Sequence, residues 1–593
     1  MTSQQRPAGR VLRNIRHGGQ ILPDDAPDAE PTTDRLERVS LLSSVVPDAA
    51  LQGLQLAEVS TPFDYLFDNL AAQFPAKHLP GNSAAVTAAL KRLGEAMAEP
   101  APPQGEELQP TGNSTIPPVY TYWGQFIDHD ITANTDRQNT VTDITVDDLR
   151  PLEPEVVVRD LRNLRRPALD LDSVYGDGPT FEGGPETAAK DMYDGIRLRL
   201  SEVAEGPGIP GDHIPTLGDN LRDLPRDGDA QLPEDKTVAL IGDGRNDENL
   251  IVAQLHVAFL RFHNAVLDWA QQEPGYGQGD RELFERVRDL VRWHYQWLVV
   301  HDYLKTVTLP GVVDKVLLGG NKLFQPRYGE VYMPLEFSVA AYRFGHSMIR
   351  GFYDYNRNFG RKNGGPGAVI PFASFRFMFA FTGSARPEPF NGGGTLTLPF
   401  NWVIEWGRFV DKGDSQPDHF ARRIDTQLAP PLFDMINQIS EENEGLPEQV
   451  KDILKRLAVR NLLRGYQLAL PTGQAVADAL GVTRLSTEEL RRGNSDEVND
   501  ALGDGGFLET TPLWFYVLKE AEVRANGNSL GEVGSRIVVE TLIGQLRADP
   551  ESYLNQEGGW SPEQGVLGDD GEPIVTIKDL FRFGGLLPSE QPA

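Results

Sequence analysis

One long stretch constrains the fold more than any other part of the sequence: RNDENLIVAQLHVAFLRFHNAVLDW, from Arg245 to Trp269. Its apolar side chains recur at the spacing of one helical face. The sequence therefore predicts a deeply packed helix over 249–269, with Asn246 or Asp247 capping its amino end. The residues of the predicted apolar face are Leu250, Leu255, Phe259, Phe262, Val266 and Trp269.

The rest of the chain favours helices joined by long loops. The same helical period recurs over 282–304, 337–352, 449–470 and 513–522, and 59 glycines and 44 prolines punctuate the chain. Alternating runs typical of strands are few, VYMPLEF and GTLTLPF being the best. We predict a mainly α fold with minor β-structure: a single large loop-rich helical domain over 58–593, which a ligand would organise. A polar extension over 1–57, partly disordered or wrapped around the domain, precedes it.

The composition excludes several classes of protein. A net charge of −30 argues against binding to nucleic acid or anionic membranes, which requires clustered cations. The absence of cysteine excludes disulfides, cysteine-ligated zinc, iron–sulfur clusters and thiolate-ligated haem. No window of about 20 apolar residues is apparent, so we expect no membrane span. No conventional signal peptide is visible either, so we expect a cytoplasmic protein or one exported by an unconventional route.

Two of the ten histidines stand out by their surroundings. His129 lies in TYWGQFIDHDIT between Asp128 and Asp130, with Gln125 four residues earlier on the same helical face. A salt-bridged surface histidine would also give this pattern, but the interleaved aromatic residues indicate burial, which needs partners or a cofactor. His346 lies among apolar and small residues in VAAYRFGHSMIRGFY, which suits either a core histidine or a ligand of haem iron. A polar and an apolar histidine together provide a base and a metal ligand, the pair that peroxide chemistry needs.

Two further segments carry charged residues with candidate roles. GDGRNDEN places Arg245 and Glu248 three residues apart, so both can face one pocket, although capping explains the acidic residue as well. An arginine at a helix amino end opposes the dipole, and stabilising negative charge on a cleaved oxygen is a natural use for it. PALDLDSVYGDGP offers Asp170 and Asp172 on one side of an extended loop, which suits Ca²⁺ but is a weak signal alone. The other helical histidine pairs, at 256/263 and 294/301, are interpreted as structural rather than as a di-metal site.

The order of these segments resembles the animal-type haem peroxidases of the peroxidase–cyclooxygenase superfamily, and we expect a bacterial member. The resemblance runs from about residue 60 to 580. WGQFIDHD is similar to the distal motif, which implies His129 as the distal base and Gln125 as its halide- and water-contacting neighbour. It also implies Asp128 as a haem ester carboxylate and Asp130 as a calcium ligand.

The resemblance extends to a calcium loop and to a catalytic arginine. LDLDSVYG is similar to the loop that binds Ca²⁺, which adds Asp170 and Asp172 as ligands. The family's Thr and Phe positions are Arg166 and Ala168 here, and they would contribute through the backbone only. GRNDEN is similar to the segment with the catalytic arginine, which implies Arg245 in that role.

The remaining haem contacts are also implied by the resemblance. Glu248 would be the second ester-forming carboxylate of haem b, and YRFGHSMI places His346 on the iron. RNLLRGYQLALP resembles a later motif whose Asn, here Asn461, hydrogen-bonds the proximal imidazole. Arg464 would meet a haem propionate. Asn249 stands where some members have a Met bonded to a haem vinyl group, so no such link should form.

The activity implied is reduction of hydrogen peroxide and oxidation of (pseudo)halides or small organic or phenolic donors through a ferryl intermediate, in the response to oxidative stress. Without the vinyl link we expect iodide, thiocyanate, bromide or phenols to be preferred over chloride. One alternative is a fatty-acid dioxygenase of the same superfamily, whose radical tyrosine lies three residues before the proximal histidine; Arg343 occupies that position, and Tyr342 is one step off. A catalytically silent adhesion or interaction protein is the second alternative.

Overall fold

The computed structural model describes residues 61–588 and two short strands near the amino end. Within 61–588 it leaves out 81–83, 101–111, 134–143, 146–148, 361–374, 383–394, 436–446 and several shorter stretches. Most of the 1–57 extension predicted from the sequence therefore lies outside the described residues. The described part is mainly α-helical with little sheet, as predicted.

The α-helices carry the architecture. In chain order they are α1 Asp68–Ala71, α2 Ala84–Ala96, α3 Val119–Ile131, α4 Pro154–Asp160, α5 Asp172–Tyr175, α6 Leu250–Ala270, α7 Asp280–Leu298, α8 Leu304–Val307, α9 Val312–Gly319, α10 Gly407–Val410, α11 Glu448–Lys455, α12 Leu457–Gln467, α13 Gly473–Leu480, α14 Thr487–Arg491, α15 Asp496–Asp504, α16 Leu513–Ala525, α17 Glu532–Ala548 and α18 Ile577–Phe583. π-helical turns span Val299–Tyr303 and Glu336–Ala340, and 3₁₀ segments include Gly244–Asp247 and Ala341–Met348.

The β-structure consists of very short strands. They are β1 Leu12–Arg13, β2 Leu22–Pro23, β3 Thr61–Asp64, β4 Arg162–Asn163, β5 Tyr193–Asp194, β6 Arg197–Leu198, β7 Ser201–Glu202, β8 Arg222–Asp223 and β9 Met333–Pro334. The pairs β1–β2, β5–β6 and β7–β8 are antiparallel, and β3 lies between antiparallel β4 and parallel β9, with Phe63 opposite Met333. VYMPLEF thus supplies one strand. The described part of GTLTLPF, from residue 395, forms only an isolated bridge between Pro399 and Ala204.

Helix α6 is the centre of the core. It is buried along nearly its whole length and packs between α3 and α7. Phe126 of α3 stacks on Phe259 of α6, with ring centroids 4.7 Å apart, and Tyr295 of α7 meets Phe259 edge-on at 5.6 Å. This aromatic contact fixes α3 against α6 because large buried rings dominate core packing energies.

The cap of α6 differs from the prediction. Asn249 caps the helix, and its side chain accepts a hydrogen bond from Val252 N at 3.1 Å. Asn246 and Asp247 lie instead in the preceding 3₁₀ turn, where Asp247 pairs with Arg226. The predicted caps were wrong because these side chains bind partners remote in sequence.

Two other predicted helices are also altered. The segment 337–352 forms a π turn followed by the 3₁₀ segment, with a break at Ala340 (φ −128°, ψ −74°), and residues 349–352 are not helical. The segment 449–470 is divided at Arg456 (φ −98°, ψ 95°) into α11 and α12. Apolar period alone does not distinguish these irregular helices from regular ones.

Helix α6 is also long and apolar enough to cross a membrane by length and composition, a property that was not recognised in the sequence. However, 89% of its apolar window is buried inside the protein. Such burial is typical of the core helix of a folded domain.

Candidate active site

A cavity lies between α3, the amino end of α6 and the 3₁₀ segment that contains His346. The lining is mostly aromatic and apolar, with a few polar groups. The lining residues are Tyr120, Thr121, Tyr122, Gly124, Gln125, Asp128, Glu248, Asn249, Tyr303, Tyr342, Arg343, Phe344, Gly345, His346, Met348, Ile349, Phe375, Met378, Phe379, Leu432, Met435 and Leu457.

One wall of the cavity is polar and comes from α3 and the start of α6. Gln125 and Asp128 are three residues apart on α3, so both face the cavity. The Gln125 amide donates to a Glu248 carboxylate oxygen, and Asn249 Nδ2 donates to Gln125 Oε1 at 3.1 Å. Two carboxylates and an amide are therefore presented to whatever occupies the cavity.

His129 follows Asp128 but is fully buried and is not part of the cavity lining. Its Nδ1 lies 2.8 Å from Asn246 Oδ1. Burial, and secondarily the positive charge of Arg245, lowers the pKa of His129 to about 3. The imidazole is therefore neutral at physiological pH and able to accept a proton.

Arg245 is directed toward the carboxyl end of α3 rather than into the cavity. Its guanidinium donates to His129 O at 2.7 Å, to Thr132 O at 2.8 Å and to Asp243 Oδ2 at 2.7 Å. Of the two residues expected to share one pocket, Glu248 lines the cavity and Arg245 does not. A cation at these terminal helix carbonyls complements the helix dipole and holds the end of α3 in place.

The opposite wall carries His346, which is partly exposed to the cavity. A Cβ added at the neighbouring Gly345 would meet nothing within 4 Å, so open space lies beside the imidazole. The Asn461 amide of α12 lies with Nδ2 2.8 Å from His346 Nδ1, close enough to donate a hydrogen bond. If the Asn461 amide is turned by 180°, its oxygen faces the ring and accepts a hydrogen bond from Nδ1–H. In that tautomer of His346, Nε2 carries no proton and can bind a metal. Arg464, one turn further along α12, is buried and does not line the cavity.

A second polar cluster lies at the carboxyl end of α3. Carboxylate oxygens of Asp130, Asp170 and Asp172 all lie within 4.8 Å of one another, and the three residues are buried. The loop is not extended as expected: Leu169 and Leu171 have φ values of 51° and 59°, in the left-handed region. Three hard oxygen donors at this spacing fit a divalent cation such as Ca²⁺.

Arginines already compensate part of this charge. Arg165 is fully buried, with Nη1 3.1 Å from Asp172 Oδ1 and Nε 3.0 Å from Asp243 Oδ2. Arg166 forms an ion pair with Asp170, and its side chain is therefore part of the cluster, where only a backbone contribution was expected. The Ala168 carbonyl faces Gln296, whose Nε2 lies 3.5 Å away. Burial raises the pKa of Asp172 to about 6 even though Arg165 opposes the shift.

Three residues that organise the site were not predicted from the sequence: Arg165, Asp243 and Asn246. Asp243 binds both Arg165 and Arg245, and their charges hold its pKa well below the usual range. In the sequence, the position of Asp243 two residues before Arg245 could have indicated that the two side chains pair. Arg165 belongs to no recognisable pattern and Asn246 was considered only as a helix cap, since the sequence does not show which partners their side chains bind.

Parts of the chain are similar in sequence to known peroxidases. The animal haem peroxidase family model matches residues 167–378. A peroxidase-like protein of Margaritifera margaritifera is 26% identical over 271 residues, covering 40% of this chain and 32% of that protein. Myeloperoxidase of Mus musculus is 23% identical over 302 residues, covering 44% of this chain and 40% of that protein. The chain thus matches well under half the length of these relatives.

The fold is matched over most of the chain by the solved structure of peroxidase A from Dictyostelium discoideum. The TM-score is 0.50 at 16% identity, and the match covers 90% of this chain and 95% of that one. A likeness at this identity speaks for the fold alone. The family model and the sequence relatives support a relationship of the chain to the peroxidase–cyclooxygenase superfamily.

Proposed function

We propose that this protein is a haem-dependent peroxidase that reduces hydrogen peroxide and oxidises a small donor. The observation that carries the proposal is the cavity, with His346 on one wall and Gln125, Asp128 and Glu248 on the other. The residues fit haem b: an imidazole on the cavity wall, open space beside the neighbouring Gly345, and a largely aromatic and apolar lining. Bound there, haem would supply the redox chemistry that the side chains lack.

The chain's own residues would hold the group and manage protons. His346 Nε2 would ligate the iron, and the Asn461 amide would orient the ring from Nδ1. Asp128 and Glu248 are the carboxylates available for ester links to the haem. Arg464 as a propionate partner stays a prediction, because it does not line the cavity.

Proton transfer would fall to His129. As a neutral base it would take the proton from peroxide and return it to the leaving oxygen. Gln125, held by Glu248 and Asn249, would orient peroxide or a small anion. Arg245 would contribute positive charge and fix the end of α3 that carries His129.

We extend the proposal to a cation at the second cluster. Asp130, Asp170 and Asp172 would bind Ca²⁺, completed by loop carbonyls near Arg166 and Ala168. Asp130 also accepts a hydrogen bond from Ser173 Oγ at 2.8 Å. A bound cation would thereby connect the residue following His129 to the loop that begins α5.

The donor class is proposed from Asn249. Its amide is engaged with Gln125, and it cannot form the vinyl bond of a methionine. Iodide, thiocyanate, bromide and small phenols should therefore be oxidised faster than chloride. Steady-state rates with each donor at one peroxide concentration test this, and efficient chlorination at neutral pH would contradict it.

A dioxygenase is the second candidate, and one observation favours it. Tyr342 lines the same cavity as His346, although it lies four residues before the histidine rather than three. Arg343, which also lines the cavity, donates from Nε to Ser338 O at 2.9 Å. Oxygen uptake with a polyunsaturated fatty acid, without added peroxide, would support the dioxygenase. Donor oxidation only with peroxide would support the peroxidase, and neither activity in haem-loaded protein would indicate a silent scaffold.

A further inference from the structure

Asn246 connects two buried histidines from different helices. Its Oδ1 lies 2.8 Å from Nδ1 of His129 on α3, and its Nδ2 lies 3.0 Å from Nδ1 of His256 on α6. All three side chains have no exposed surface. Bulk solvent does not reach these atoms, so the Asn246 amide is the hydrogen-bond partner of both Nδ1 atoms.

The chemistry of the amide fixes where the protons are. An amide oxygen only accepts, so His129 must carry its proton on Nδ1. The amide nitrogen only donates, so His256 Nδ1 must be unprotonated and the proton of that neutral ring lies on Nε2. With the amide turned by 180°, His256 would have to donate from Nδ1 and His129 would have to accept there, so the two orientations predict opposite tautomers of His129.

Packing holds both ends of this connection. The His256 ring meets Phe126 edge-on at 6.0 Å, and Phe126 is stacked on Phe259. The Asn246 backbone N donates to Asp243 O at 3.0 Å, which anchors the 3₁₀ turn. The Asn246 amide is therefore held between the anchored 3₁₀ turn and the packed His256 ring. Its orientation depends on which nitrogen of the His256 ring carries the proton.

We propose that Asn246 is a positioning residue that keeps the His129 proton on Nδ1, so that Nε2 is the ring nitrogen that accepts a proton from peroxide. The inference rests on the proposed function insofar as His129 is the base. The geometry does not require any contact between Asn246 and substrate. A histidine in the wrong tautomer cannot act as base at the required nitrogen, and in serine proteases the corresponding error costs about 10⁴-fold in rate.

The tautomer is measured directly by ¹⁵N NMR of histidine-labelled protein loaded with zinc protoporphyrin, a diamagnetic haem analogue. His129→Gln assigns the signal. We expect a proton on Nδ1 in the wild type and in Asn246→Asp, whose carboxylate still accepts. We expect a mixture of tautomers in Asn246→Leu. A proton on Nε2 in the wild type, or an unchanged tautomer in Asn246→Leu, would overturn the proposal.

The kinetic arm uses haem-loaded protein and stopped-flow absorbance after mixing with peroxide. Asn246→Leu should react about 10- to 100-fold more slowly, because a mixture of tautomers loses only part of the roughly 10²- to 10⁴-fold that general base catalysis provides. Asn358→Leu is the matched control, because Asn358 is 1% exposed and its amide bonds to backbone partners such as Asp212 O. It should react within about threefold of wild type, since its hydrogen bonds are remote from the cavity. Equal slowing in both variants would contradict the positioning role.

Failure of the proposed function and failure of the positioning role of Asn246 give different results. If the wild type takes up haem but does not react with peroxide, the proposed function fails, while the NMR measurement still decides the tautomer. If the wild type reacts and Asn246→Leu reacts equally fast, the peroxidase stands and the role of Asn246 is refuted.

Discussion

Replacing Arg165 by methionine should lower the free energy of unfolding far more than the loss of one charge at the surface would. The side chain is fully buried between Asp172 and Asp243, and it also donates to Gly242 O at 3.1 Å. Methionine keeps much of the volume and removes the charge. Asp243 would retain Arg245, whereas Asp172 would lose the guanidinium that contacts it directly.

Removing one partner of a buried ion pair costs about 3–5 kcal/mol, because the remaining charge stays desolvated. Part of the loss should be recovered by millimolar Ca²⁺, since a divalent ion at Asp130, Asp170 and Asp172 replaces the missing positive charge. Wild-type protein should gain less from Ca²⁺, because Arg165 already neutralises the cluster.

Urea denaturation followed by circular dichroism, with and without Ca²⁺, measures both effects. Arg159→Met is the control, because Arg159 pairs with Asp160 on the surface, and its midpoint should not change. A loss below about 1 kcal/mol in Arg165→Met, with no response to Ca²⁺, would refute the reasoning that this buried pair organises the cluster.

Two other predictions concern single side chains. Burial raises the pKa of Glu336 to about 7, while the N–H groups of Leu66 and Phe67 donate to its carboxylate. Its contribution to the free energy of unfolding is therefore complete below the unfolded pKa of about 4.5 and is lost as pH rises through 7. The difference between wild type and Glu336→Gln should change by about 3 kcal/mol over that window in urea titrations, and no change would contradict the shift. Asn461→Leu removes the 2.8 Å contact to His346, so haem should dissociate about 10- to 100-fold faster into apomyoglobin; an unchanged rate would contradict the orienting role.

The sequence predicted the bounds of helix α6 closely, but it did not predict which residue caps the helix. A helix over 249–269 was expected, and the structure has Leu250–Ala270. The period of buried residues determines that helix, because a helix that is apolar over most of its surface must be packed on several sides. The predicted cap was wrong because the Asn246 side chain contacts His129 and His256 instead. No local sequence pattern encodes these contacts.

The candidate site was predictable only in part. Gln125, Asp128, Glu248 and His346 were named from short motifs, and the structure brings all four to one cavity. Arg245 was placed near a pocket by spacing alone, but its direction depends on Asp243 and on carbonyls of α3. Long-range pairing of buried charges is a property of the tertiary fold, and helical spacing does not determine it.

The central claim is that this cavity binds haem through His346. The direct measurement is the absorption spectrum of protein supplied with haem, before and after one equivalent of hydrogen peroxide, beside His346→Ala. We predict a Soret band that changes on addition of peroxide, and its loss or displacement in the variant. A wild-type protein that takes up no haem, or a variant whose spectrum and peroxide response match the wild type, would contradict the claim.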